Sequence, residues 1–173
     1  SDEIFGISKI FTEQFGISKI RITGGEPLVR HDFAEIIEKL ATLQLSLGVT
    51  TNGVLLDKYF SLLQQNQVQL LNISIDSLDS ERFKQITKRD LLPQVWNNIM
   101  QSISLGFKVK LNAVIMRGVN DDELLSLAML SHNYPIEMRF IEFMPFYGNS
   151  WEKGKVMPIN EMLQVIEREY SCI

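Results

Sequence analysis

The chain has 173 residues, 45% hydrophobic and 22% charged, with a net charge of −4, enough apolar content for a single domain spanning 1–173 with a substantial core. The acidic balance and a pI near 5.2 leave no basic footprint, which argues against nucleic-acid binding. No apolar run approaches the roughly 20 residues of a membrane helix, no secretory signal opens the chain, and the one cysteine, Cys172, excludes an internal disulfide framework; the expected setting is the cytoplasm, without membrane association.

In chain order, Ile4, Ile7, Ile10 and Phe11 recur at helical spacing, and the first strand pattern follows at 18–23. Residues 31–43 carry Phe33, Ile36, Ile37, Leu40 and Leu43 on one helical stripe, with Asp32 and Glu35 in capping-box spacing. Further strand patterns lie at 45–50, 69–75, 107–115 and 137–143, separated by helical patterns at 55–65, 80–87, 93–104, 121–131 and 159–170. Strand and helix alternate about every 25–35 residues, the rhythm of βαβ units. The strands read as near-continuous apolar runs, which predicts a parallel sheet covered on both faces. Five strands are too few for an eight-stranded barrel; an open barrel and a doubly wound sheet both fit the alternation. The hexapeptide at 5–10 recurs unchanged at 15–20, first in a helical pattern and then running into a strand. Two copies are too few for a repeat architecture, so coincidence is the expectation.

In a parallel α/β protein, chemistry collects where strands end. The five strand ends carry Thr23-Gly24-Gly25-Glu26-Pro27, Thr50-Thr51-Asn52-Gly53, Ser74-Ile75-Asp76-Ser77, Met116-Arg117-Gly118 and Glu142-Phe143-Met144-Pro145. Gly24-Gly25 lets a ligand approach the backbone closely. Glu26 offers a carboxylate to an ammonium group, and Pro27 keeps Glu26 out of helical geometry. The ordinary alternative is a tight turn with a solvated glutamate. Arg21 on an apolar strand needs an anion or a partner, Glu142 being one choice. Lys110 shares a strand face with Lys108 and with Asn112, which suggests a wet cleft that Arg139 and Glu142 extend. Thr50 and Thr51 face opposite ways, so only one of them can serve a given site. His31 and His132 form no catalytic or metal-spaced arrangement.

Gly24-Gly25-Glu26-Pro27 resembles the GGEP motif of radical S-adenosylmethionine (SAM) enzymes. With Arg21, Thr50-Thr51-Asn52-Gly53, the segments 72–77, 110–118 and 139–145, and Asn120-Asp121, the resemblance extends along nearly the whole chain. It is closest to the GTP 3′,8-cyclases of molybdenum cofactor biosynthesis. The resemblance implies an α/β fold, an incomplete TIM-type barrel of parallel strands with outer helices, cut at both ends. It implies SAM contacts at Gly24, Gly25, Glu26, Pro27, Ser74 and Met144, and GTP contacts at Arg21, Thr50 and Lys110, with Thr51 as the rival to Thr50. The implied reaction, of lyase type, starts from reductive SAM cleavage and hydrogen abstraction at C3′ of GTP, then closes C3′ onto C8 to give 3′,8-cyclo-7,8-dihydro-GTP.

Such enzymes hold one 4Fe-4S cluster in a Cys-x3-Cys-x2-Cys motif and a second through three further cysteines, and neither set is in this sequence. Those ligands are expected upstream of Ser1 and beyond Ile173, and residues 1–173 alone are expected to be inactive. A radical SAM enzyme with another substrate, or a catalytically silent binding module of the same fold, stays open. A homodimer also stays open, since a truncated barrel exposes apolar edges.

Overall fold

The computed structural model describes residues 1–145 and 152–170; Cys172 lies outside the described residues. Five strands alternate with helices: α1 (Asp2–Phe15), β1 (Lys19–Ile22), α2 (Phe33–Ala41), β2 (Ser46–Thr51), α3 (Phe60–Gln65), β3 (Leu70–Ser74), α4 (Ser80–Thr87), α5 (Leu92–Ser104), β4 (Lys108–Ile115), α6 (Leu124–Asn133), β5 (Ile136–Glu142) and α7 (Ile159–Glu169). The strands are parallel and lie in sequence order, β1-β2-β3-β4-β5. That order decides between the two topologies left open by the sequence. A doubly wound sheet reverses direction part-way across, whereas a TIM-type barrel adds each strand beside the last. Among the described residues, no helix is long and apolar enough to cross a membrane.

The chain divides into two compact units. One comprises Ser1–Ile73 and Gln94–Val109, the other Ser74–Pro93 and Lys110–Ile173. In the first, Phe33, Ile36, Ile37 and Leu40 of α2 are buried with Leu47 and Val49 of β2 and Leu71 and Ile73 of β3. The α2 stripe behaves as its periodicity requires. The capping box does not form: Asp32 makes no side-chain cap bond, and its carboxylate takes both Arg30 guanidinium bonds at 2.9 Å. A charged donor outcompetes a backbone N–H for the same oxygens. In α1, by contrast, Ile7, Ile10, Phe11 and Phe15 remain exposed.

In the second unit, Leu111, Ala113 and Ile115 of β4 are buried with Phe83 of α4, Leu124, Leu127 and Leu130 of α6, and Met162 of α7. The reading of the strands as near-continuous buried runs holds for β2 and β3 and fails for β4 and β5. β4 alternates strictly between buried and more exposed positions, and no residue of β5 is fully buried. One face carries the apolar core; the other carries Lys108, Lys110, Asn112 and Val114.

The repeated hexapeptide adopts two structures. Its first copy lies inside α1, with Gly6 helical. In the second, Phe15 ends α1 and Gly16, at φ +66, caps it in the left-handed region, receiving its stop from a Schellman-type bond pattern to Phe11 and Thr12. Identical local propensity gives opposite outcomes because tertiary context decides.

Candidate cofactor and substrate site

In the first unit the turn after β1 is built around Glu26. Its backbone is extended (φ −139°, ψ 109°), as a residue before proline must be, and Pro27 opens a one-turn 3-10 helix. The Glu26 carboxylate accepts three hydrogen bonds. Leu28 N–H and the Thr51 hydroxyl reach Oε1 at 3.1 and 2.7 Å, and Asn52 N–H reaches Oε2 at 2.7 Å. The solvated-glutamate alternative therefore fails: Glu26 clamps the end of β1 to the end of β2. A carboxylate has about four acceptor sites, so one on Oε2 remains for an incoming donor. At Gly24 and Gly25 a Cβ would meet no atom within 4 Å, leaving the turn's backbone open to a ligand.

The Thr51-Asn52-Gly53 turn is held in its own right. Gly53 N–H donates to Thr51 Oγ1 (3.1 Å), Val54 N–H to Asn52 Oδ1 (3.0 Å), and Asn98 Nδ2 to the Gly53 carbonyl (2.8 Å). Gly53 sits at φ +79, and a Cβ there would stand 2.8 Å from Ile73 Cγ2. Both backbone angle and space demand glycine.

Thr51 is buried and committed to Glu26, so the two threonines divide as neighbours on a strand must. Thr50 lies on the opposite face, in register with Asn72 of β3. Arg21 occupies the same face of β1, in register with Gly48 of β2. It is exposed, and no salt bridge among the described residues involves it. A cavity of about 480 Å³ lies at the other end of the sheet, lined by Leu45, Ser46, Gln67 and Gln69 among others, and none of the sequence-predicted site residues reaches it.

In the second unit, Lys110 forms a 2.5 Å ion pair with Glu137, which also takes Arg139 at 2.6 Å. The Lys110 hydrogen bond, followed by that of Arg139, holds the Glu137 carboxyl below the usual glutamate range. Arg139 shares this polar face, as expected, but Glu142 does not. Glu142 lies on the other parity of β5 and accepts Ile159 N–H at 2.6 Å, capping α7. Ser74 and Met144 are exposed, Met144 at 61%.

Sequence reasoning passed over the residues that brace the end of β3. Buried Asn120 donates to the Asp76 and Val114 carbonyls (2.7 and 2.9 Å) and accepts Met116 N–H (2.7 Å). Asp76 itself accepts Val114 N–H at 2.8 Å, and burial pushes its carboxyl above the usual aspartate range. Glu123 binds the Ser77 hydroxyl (2.7 Å) and Leu78 N–H (2.6 Å). In the sequence, Asp76 and Ser77 stood out only as part of a strand end, and Asn120-Asp121 only as part of the resemblance.

The radical SAM superfamily model matches residues 1–130, three-quarters of the chain. The chain belongs to the radical SAM superfamily. Within it, the chain is 40% identical to "Molybdenum cofactor biosynthesis protein 1" of Homo sapiens over 98% of its own length and 27% of that protein. It is 40% identical to a "GTP 3′,8-cyclase" of Thermodesulfovibrio yellowstonii over 97% of its length and 53% of that protein. The chain thus spans about a quarter to a half of the length of these relatives. The fold matches Streptococcus suis SuiB bound to S-adenosylmethionine (TM-score 0.72, 15% identity, 96% of this chain and 40% of that one). It also matches anSMEcpe with bound AdoMet (TM-score 0.70, 16% identity, 99% of this chain and 51% of that one). Among the described residues, no cluster of three or more His, Cys, Asp or Glu is placed to hold a metal. An iron–sulfur cluster needs thiolates, and the chain's one cysteine does not supply a set.

Proposed function

We propose that the chain is the SAM- and nucleotide-holding part of a GTP 3′,8-cyclase, a lyase-type enzyme that forms 3′,8-cyclo-7,8-dihydro-GTP for molybdenum cofactor biosynthesis. The observation that carries this reading is the 40% identity to a protein of that name along 97% of the chain. The open backbone of Gly24-Gly25 and the remaining acceptor site of Glu26 suit the amino-acid end of SAM. Pro27 and the three Glu26 bonds fix that turn before any ligand arrives, so little is lost to ordering on binding. Ser74 offers a hydroxyl, and Met144 a soft apolar surface for an adenine. Arg21 of β1 and Thr50 of β2 share one face of the sheet, and among the described residues Arg21 has no ion-pair partner, which suits a phosphorylated nucleotide. Lys110, whose charge is shared with Glu137, is the third residue assigned to the nucleotide in this reading. When bound, SAM supplies the radical chemistry; these residues contribute binding and orientation. Residues 1–173 do not supply the thiolate set that a 4Fe-4S cluster needs. A cytoplasmic setting is part of this proposal, supported by the lack, among the described residues, of a helix long and apolar enough to cross a membrane.

The test is anaerobic reconstitution of the intact protein with iron and sulfide, then incubation with SAM and either GTP or another nucleoside triphosphate. Formation of 5′-deoxyadenosine and the cyclised product from GTP alone is expected. Turnover of a different substrate, or none, overturns the reading. Residues 1–173 alone should yield no 5′-deoxyadenosine.

A further inference from the structure

Asn72 stands in the middle of β3 and is 1% exposed, yet among the described residues neither its Nδ2 nor its Oδ1 has a hydrogen-bond partner. A buried amide in that state is costly, and native proteins rarely tolerate one without a use for it. Its neighbours Leu71 and Ile73 point to the core face, where Ile73 meets the position a Gly53 Cβ would occupy. Asn72 therefore points to the other face, beside its register partner Thr50 and on the same face as Arg21.

We propose that Asn72 is a ligand-reading residue, whose amide hydrogen-bonds the nucleoside part of a bound nucleotide. The inference rests on the functional reading above and extends it to a residue that reading does not use. The argument is one of donor and acceptor count. A phosphate oxygen only accepts, so it would satisfy Nδ2 and leave Oδ1 unpaired. A purine edge or a ribose hydroxyl offers a donor together with an acceptor and satisfies both atoms at once. Charge points the same way: Arg21 suits phosphates, while a neutral amide suits a neutral group.

Guanosine in GTP and adenosine in SAM offer the same chemistry, so the two are titrated separately. Calorimetry on the intact protein compares wild type with Asn72→Leu, which is close in size but apolar. Thermal unfolding without ligand runs in parallel. An orphaned amide held for a ligand predicts that Asn72→Leu leaves the ligand-free melting temperature unchanged or raised. It also predicts at least about ten-fold weaker binding of GTP or of SAM; whichever weakens identifies the nucleoside. If GTP is the one affected, tripolyphosphate should compete equally well in both proteins. Loss of that competition in the variant would overturn the donor–acceptor argument. Should the leucine variant fail to fold, Asn72→Thr, polar and suited to a strand, provides the binding comparison. Unchanged affinity for both ligands overturns the proposal, whatever the stability. Wild-type protein that binds neither GTP nor SAM sinks the functional reading and this inference with it. Wild-type protein that binds while the variants bind equally well sinks this inference alone.

Discussion

Glu26→Ala should cost far more stability than removal of a surface carboxylate, because Glu26 accepts from Leu28 N–H, Thr51 Oγ1 and Asn52 N–H. Hydrogen bonds to a charged group are worth about 1.5–3 kcal/mol each. Part of that returns when water reaches the half-buried turn, but Thr51 is only 3% exposed, so its O–H donor is left unpaired although Oγ1 still accepts Gly53 N–H. The expected loss is about 3–5 kcal/mol for Glu26→Ala, a large share of an ordinary domain's 5–15 kcal/mol. Glu26→Gln keeps an oxygen for Thr51 and Leu28 but sets an NH2 against Asn52 N–H, so about 1.5–3 kcal/mol is lost. Urea denaturation of residues 1–173 followed by circular dichroism reads these as shifts in midpoint at constant slope. A double-mutant cycle with Thr51→Val should show strong coupling. A loss below about 1 kcal/mol for Glu26→Ala, or additivity with Thr51→Val, would refute the clamp.

Asn120→Ala removes three hydrogen bonds from a fully buried side chain and should destabilise by about 2–4 kcal/mol, measured by the same unfolding assay. Asp76 binds its proton more tightly in the folded state than in the unfolded chain, so its contribution favours folding at low pH. That contribution is lost as pH rises from the ordinary aspartate range through the raised folded value. Asp76→Asn keeps the acceptor for Val114 N–H and should flatten this dependence, visible as a smaller fall in melting temperature across that window. Lys110→Met breaks a partly exposed ion pair, so stability should change by less than about 1 kcal/mol while GTP affinity in the intact protein falls about ten-fold. A loss of stability without loss of affinity would make Lys110 structural.

The order and type of the elements were legible in the sequence, because apolar spacing reports which side of each segment meets the core. All five strands and the helices between them fall where those patterns lie, with boundaries shifted by a few residues. The GGEP turn was legible too, since Gly-Gly and a pre-proline glutamate restrict the backbone locally. What the sequence alone did not determine was the use of each polar group. Glu26 finds its partners 25 and 26 residues away at the end of another strand, and that pairing turns a solvent-facing carboxylate into a clamp. The same contact takes Thr51 out of reach of a ligand and leaves Thr50 on the open face. Asn72 reads in sequence as one polar residue in an apolar strand; only its burial without a partner marks it as held for something else. Local spacing fixes which face a side chain takes, whereas its hydrogen-bond partners come from strands brought together by the tertiary fold.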